Sequence, residues 1–121
     1  MAVATFTTTF QFSVFANYEP PKEIWASFNK YAEAVENNDY ENIIKYGLID
    51  ISILEKEPVN DTTTEWLCSR YQRLAKAYEH FGNFTQSAKM YEKQLPLAEK
   101  LGWSDSVKIA KGRAQALPFV L

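Results

Sequence analysis

The sequence predicts an all-α protein of antiparallel helical hairpins, preceded by an amino-terminal β-strand or extended arm. Apolar residues recur at steps of three and four through most of residues 22–117, the spacing that gathers side chains on one face of a helix. Within Trp66–Leu101 two such stripes are separated by a single Gly82-Asn83 turn, so the chain reverses direction between two helices. Alternation of apolar and polar residues, the mark of a strand, carries conviction only in residues 4–16.

Composition sets the outer limits. A chain of 121 residues, 46% hydrophobic and 23% charged, fits one globular unit that buries roughly two-thirds of its unfolded surface without a metal or a disulfide. It divides into an arm, residues 1–19, and a helical domain, residues 20–121. A formal charge of -2 supplies no basic field for nucleic acid. Cys68 is the one cysteine, which rules out an intramolecular disulfide and the cysteine-rich secreted scaffolds. No stretch approaches the roughly 18 consecutive apolar residues of a membrane span, and no Lys or Arg opens a secretory signal. A cytoplasmic protein with no membrane contact is expected.

In Ala4–Ala16 the residues Phe6, Thr8, Phe10, Phe12 and Val14 face one way, and propensity agrees with a strand. A lone strand leaves a row of amides and carbonyls unpaired. The segment is therefore expected to pair with its own copy in a homodimer through Phe6, Phe10, Phe12 and Val14, or to complete a sheet in another protein. A tail, or an arm lying over its own helices, is the alternative. Pro20-Pro21 then forces extended backbone and marks a boundary.

The first helix is predicted over Lys22–Asn37, with Ile24, Trp25, Phe28, Tyr31, Ala32 and Val35 inward. Asp39 is placed to cap a second helix, Asp39–Glu57, whose inward residues are Ile43, Ile44, Leu48, Ile51 and Leu54. Ile49–Ile53 alternates like a strand, and Gly47 lowers helix propensity by about 1 kcal/mol. Length and the absence of a turn before Pro58 decide for a helix. Residues 58–64 form a polar loop in which Thr63 or Thr64 caps the third helix, with Glu65 at its positive end. That helix turns Leu67, Tyr71, Leu74, Ala75, Tyr78 and Phe81 inward and Arg70, Gln72, Arg73 and Lys76 outward. The fourth, from Phe84, buries Ala88, Tyr91, Leu95 and Ala98. Pro96, which costs about 3 kcal/mol inside a helix, is expected to kink it, and Gly102 to stop it with Trp103 folding back. A fifth helix, Ser104–Leu117, starts on Ser104 or Asp105 and is interrupted by Gly112.

The order of small, aromatic and glycine residues across the central turn, Ala75, Tyr78, Gly82, Phe84, Ser87-Ala88 and Tyr91, resembles a tetratricopeptide repeat. Setting Tyr40 against Phe84 brings Tyr31 opposite Ala75 and Asn38 opposite Gly82. The two hairpins are then 44 residues apart, longer than the usual repeat of about 34, so the likeness is to the longer-helix members. Residues 100–117 look like the opening of a further unit that serves as a capping helix. The resemblance implies an interaction or scaffold module in which the first helix of each repeat lines a groove that grips a peptide.

Chemical motifs are sparse. Cys68 and His80 lie twelve residues apart on one predicted helix, roughly 18 Å along its axis, too far for a nucleophile and its base. No His/Cys cluster has metal spacing, no glycine-rich loop cradles phosphate, and no cofactor is implied. Glu33, Glu36, Asp39 and Glu41 sit on a wet face beside a turn rather than as an acid–base pair. One stripe is polar without being merely charged: Ser69, Gln72, Arg73, Lys76 and His80 share a face of the third helix, with Asn29 nearby on the first. The resemblance implies that these six residues line the groove. Arg73 offers a carboxylate a two-pronged bond and Lys76 a point charge, so the expected partner is a protein or peptide with acidic character. The full lysine and asparagine set that clamps a carboxy-terminal carboxylate is not evident. Two rival readings stand beside this one: a small-ligand or enzymatic pocket between the hairpins containing His80 or the Glu33 group, and a self-association element.

Overall fold

The computed structural model describes residues 18–117, and these form five helices: α1 (Ile24–Glu36), α2 (Tyr40–Leu54), α3 (Asp61–His80), α4 (Phe84–Leu101) and α5 (Ser104–Ala116). Among the described residues there is no strand, so the all-α class holds. The strand or arm over residues 4–16, with Phe6, Phe10, Phe12 and Val14, lies outside the described residues.

Packing proceeds along the chain. The principal contacts join α1 to α2, α2 to α3, α3 to α4 and α4 to α5. One continuous core results, with Tyr31, Ile43, Ile51, Tyr71, Leu74, Ala88 and Tyr91 among its members. The reversals after α1 and after α3 are built alike. Asn38 (φ 53°) and Gly82 (φ 74°) each take the left-handed conformation that ends a helix. The next backbone N–H, of Asp39 or Asn83, donates to Ala34 O at 2.8 Å or Tyr78 O at 2.9 Å. The side chains of Asp39 and Asn83 then cap the following helix, each accepting the N–H three residues on, from Asn42 and Gln86. Left-handed Gly102 closes α4 in the same manner, with the Trp103 N–H donating to Ala98 O at 3.0 Å.

The structure corrects several expectations. The third helix begins at Asp61 rather than beyond Thr64, because Asn60 and Thr63 form a reciprocal capping box and the three threonines pack inside the first turn. The N-cap of α5 is Trp103, with no side-chain cap bond from Ser104 or Asp105. Helix faces are also turned. In α1, Ser27 and Ala34 are buried while Trp25 and Ala32 are exposed. In α2, Gly47 and Asp50 face inward and Leu48 outward. Gly47 has a steric reason for its place: a Cβ there would overlap Leu74 Cδ1. In α3, Phe81 is 56% exposed, and Arg70 is buried.

Candidate functional site

Two opposite arcs of α3 set the site. Cys68, Arg70, Tyr71, Leu74, Ala75 and Ala77 fix one arc in the core. The other carries Ser69, Gln72, Arg73, Lys76 and His80, all half-buried or exposed, with Asn29 exposed on α1. Within that arc the side chains differ in what they have left to offer. Gln72 Oε1 accepts from Gln94 Nε2 at 3.1 Å, which ties it to α4. His80 stacks on Tyr40, ring centroids 4.1 Å apart, and Phe81 meets it edge-on. Arg73 lies toward α1, near enough for its charge to be felt at the buried Tyr31 hydroxyl. Arg73 and Lys76 form no ion pair among the described residues, so both retain a cation for a ligand.

Lys76 stands in the wall of a groove of about 660 Å³ between α3 and α5. Tyr91 of α4, which is buried, reaches its floor. The α5 wall presents Lys108, Ile109 and Arg113, and Arg113 Nη1 meets Glu79 Oε1 at 3.2 Å. This α5 wall was missed in the sequence, although Lys108, Ile109, Gly112 and Arg113 follow helical spacing. The weak amphipathicity of that helix hid it.

Beneath the polar arc lies a feature that sequence reasoning had turned outward. Arg70 Nε donates to Asp50 Oδ2 at 3.1 Å, and the two side chains are 6% and 0% exposed. Ser27 Oγ donates to the other carboxylate oxygen. Three helices thus meet on one buried carboxylate. The Arg70 guanidinium also lies over the rings of Tyr31 at 4.4 Å, Phe28 at 5.1 Å and Trp66 at 5.8 Å. Those faces supply negative π density to a cation whose Nη2 has no hydrogen-bond partner among the described residues. Burial pushes the Asp50 carboxyl above its ordinary pKa, and the Ser27 hydrogen bond and the Arg70 charge pull it back in part. Trp25, Phe28 and Trp66 extend the cluster as edge-on and tilted rings 5.5–6.0 Å apart.

Other concavities differ in character. Glu33 and Asp39, with Lys30 and Asn42, line a polar niche of about 140 Å³, below the few hundred Å³ typical of small-molecule sites. His80 lines neither that niche nor the α3–α5 groove. A largely apolar groove of about 470 Å³ lies among α2, α3 and α4, lined by Leu54, Val59, Leu67, Tyr71 and Leu97. Its phenol is engaged, since Tyr71 Oη donates to Glu55 Oε2 at 2.9 Å and the Lys93 ammonium lies over the ring. Burial and the Glu55 carboxylate hold that hydroxyl above its ordinary pKa. Cys68 is fully buried and its thiol is pushed up by that burial, which opposes thiolate chemistry. Among the described residues no group of His, Cys, Asp and Glu is placed to hold a metal ion, and no helix is long and apolar enough to cross a membrane.

Among the described residues, fold and site together define a helical protein with an open, cation-bearing groove and a buried ionic cluster. No family model, curated protein or solved structure matches the chain.

Proposed function

We propose that the chain is a tetratricopeptide-like interaction module, with α1–α2 and α3–α4 as its two repeats and α5 as its cap. Its function is to hold a peptide or a segment of a partner protein against the faces of α1, α3 and α5. The equivalent construction of the turns at Asn38 and Gly82, 44 residues apart, supports the repeat reading, as does packing confined mainly to successive helices. The observation that carries the binding reading is the open groove beside Lys76, with exposed Arg73 three residues before it on the same helix. An enzymatic role has less support: the niche around Glu33 is small, and His80 is stacked on Tyr40 rather than paired with a nucleophile.

The test is affinity capture from the native cell on immobilised wild-type chain and on Arg73→Glu/Lys76→Glu side by side. Lys89→Glu/Lys100→Glu, altered at exposed positions of α4, serves as the control. The reading expects captured proteins that are lost from the first variant and kept by the second. Retention of every captured protein by Arg73→Glu/Lys76→Glu would overturn it.

A further inference from the structure

We infer that the α3–α5 groove takes an extended, internal segment of a partner protein in which two acidic side chains stand two residues apart. The inference rests on the interaction-module reading above and specifies its ligand. Charge is the first reason. The groove walls hold three cations, Lys76, Lys108 and Arg113, against the single carboxylate of Glu79, in a chain whose formal charge is -2. Glu79 is already used on Arg113, so Lys76 and Lys108 are the cations without an ion pair among the described residues.

Spacing is the second reason. Lys108 and Arg113 are five residues apart on α5, about 7.5 Å along its axis at about 1.5 Å per residue. An extended chain advances about 3.3 Å per residue and points alternate side chains the same way, so residues i and i+2 are about 6.6 Å apart on one side. Two carboxylates at that interval reach Lys108 and the free edge of the Arg113 guanidinium, whose side chain is 53% exposed. Lys76 faces them from the opposite wall. Between the two cations, Ile109, 41% exposed, offers an apolar contact to the stem of the same segment. The lined stretch from Lys108 to Ala116 spans about 12 Å, room for three or four extended residues rather than for a helix laid crosswise. Nucleic acid fits less well, because three cations in one short groove do not make the extended basic stripe that tracks a phosphate backbone.

Selection from a random-peptide library displayed on phage, with the full chain as bait, tests this. Each displayed peptide is fused at its carboxy terminus, so a terminal carboxylate cannot account for binding. The expected result is enrichment of Asp/Glu-x-Asp/Glu, with the consensus peptide weakened about tenfold by Lys108→Glu and weakened again when ionic strength rises from about 0.01 M to about 0.15 M. The Asn/Gln form of the same peptide should not bind. Circular dichroism and thermal melting check that Lys108→Glu is folded, and Lys108→Gln, a milder change at the same exposed position, should fall between wild type and Lys108→Glu. Enriched peptides that are neutral or basic, or acidic peptides indifferent to Lys108→Glu, overturn the inference while leaving a peptide-binding module in place. No enrichment at all counts against both readings. Tighter binding of a short single-stranded DNA than of the consensus peptide at the same salt would replace the proposed ligand with a general polyanion.

Discussion

Replacing Arg70 with methionine keeps most of the side chain's length and removes its charge, leaving Asp50 wholly buried with only the Ser27 hydroxyl to satisfy it. Breaking one side of a buried ion pair costs about 3–5 kcal/mol, because the remaining charge has lost both its water and its partner. Contacts of the guanidinium with Tyr31, Phe28 and Trp66 vanish in the same step and place the loss toward the upper part of that range. Urea denaturation at neutral pH, followed by helical circular dichroism, reads the difference. The double variant Asp50→Leu/Arg70→Met removes both charges and should recover to within about 2 kcal/mol of wild type, since apolar replacements of a buried pair are often neutral.

The pH dependence supplies an independent check. Burial raises the folded-state pKa of Asp50 above its unfolded value, opposed by the Ser27 hydrogen bond and by Arg70. A raised folded pKa means that protonation favours the fold. The stability from this group is complete below the unfolded value of about 3.9 and is lost as pH climbs through the folded one. Without Arg70 one opposing pull is gone and the folded pKa moves further up. The deficit of Arg70→Met should therefore be largest at neutral pH and shrink as pH is lowered toward about 4. A loss under about 1 kcal/mol at neutral pH, or a double variant as unstable as the two single losses added together, would refute the buried pair.

Leu74→Ala, at a fully buried position, should cost about 2–5 kcal/mol, and adding Gly47→Ala should cost less in that background than in wild type, because the new methyl group enters the space Leu74 vacates; additive losses in chemical denaturation would mean that the two helices do not touch there. Asn60→Ala opens the capping box of α3 and should lower stability by about 1 kcal/mol; a thermal melt unchanged by that substitution would refute the cap at Asn60. Residues 4–16, outside the described residues, are proposed from their alternation to pair strands in a homodimer, so deleting residues 1–16 should yield a monomer with its helical circular dichroism intact. Sedimentation of the intact chain as a monomer would end that proposal.

Much of the fold was legible because α1 to α5 each repeat apolar residues at helical spacing and carry their own punctuation. Gly82 and Gly102 end helices as their freedom at positive φ predicts, and Asp39 caps α2 through the expected acceptor. What misled was chemistry read one residue at a time. Ser27 sits between Ile24 and Tyr31 in a run of steps of three and four, and Asp50 lies likewise between Gly47 and Leu54. Arg70 falls between Leu67 and Leu74 in the same manner. Position alone puts all three inside, whereas polarity alone puts them outside. Only the pairing across helices, a cation on α3 for a carboxylate on α2, reconciles the two, and such pairings are not periodic. The groove was half legible for a related reason: Lys76 belongs to a strongly patterned helix, while Lys108 and Arg113 belong to one whose pattern Gly112 dilutes.

The buried pair also bears on what the surface offers. With Arg70 drawn between Asp50 and the three aromatic rings, α3 is held against rotation about its axis by contacts from both α1 and α2. Residues three and six positions further along, Arg73 and Lys76, are then carried about 60° and about 120° away from the buried direction, both in the same sense, by the 100° step of the helix. Because 3.6 residues make a turn, successive steps of three fall back around the cylinder rather than stacking. Arg70 is thus fully inside, Arg73 lies at the α1 edge of the open face, and Lys76 lies at the α5 edge, over the groove. Three basic residues at a constant interval thus serve three surroundings. An Arg70→Met variant that stays folded would release this constraint, so weaker binding in that variant without any change to Arg73, Lys76 or Lys108 would be the mark of a positioning role for the buried pair.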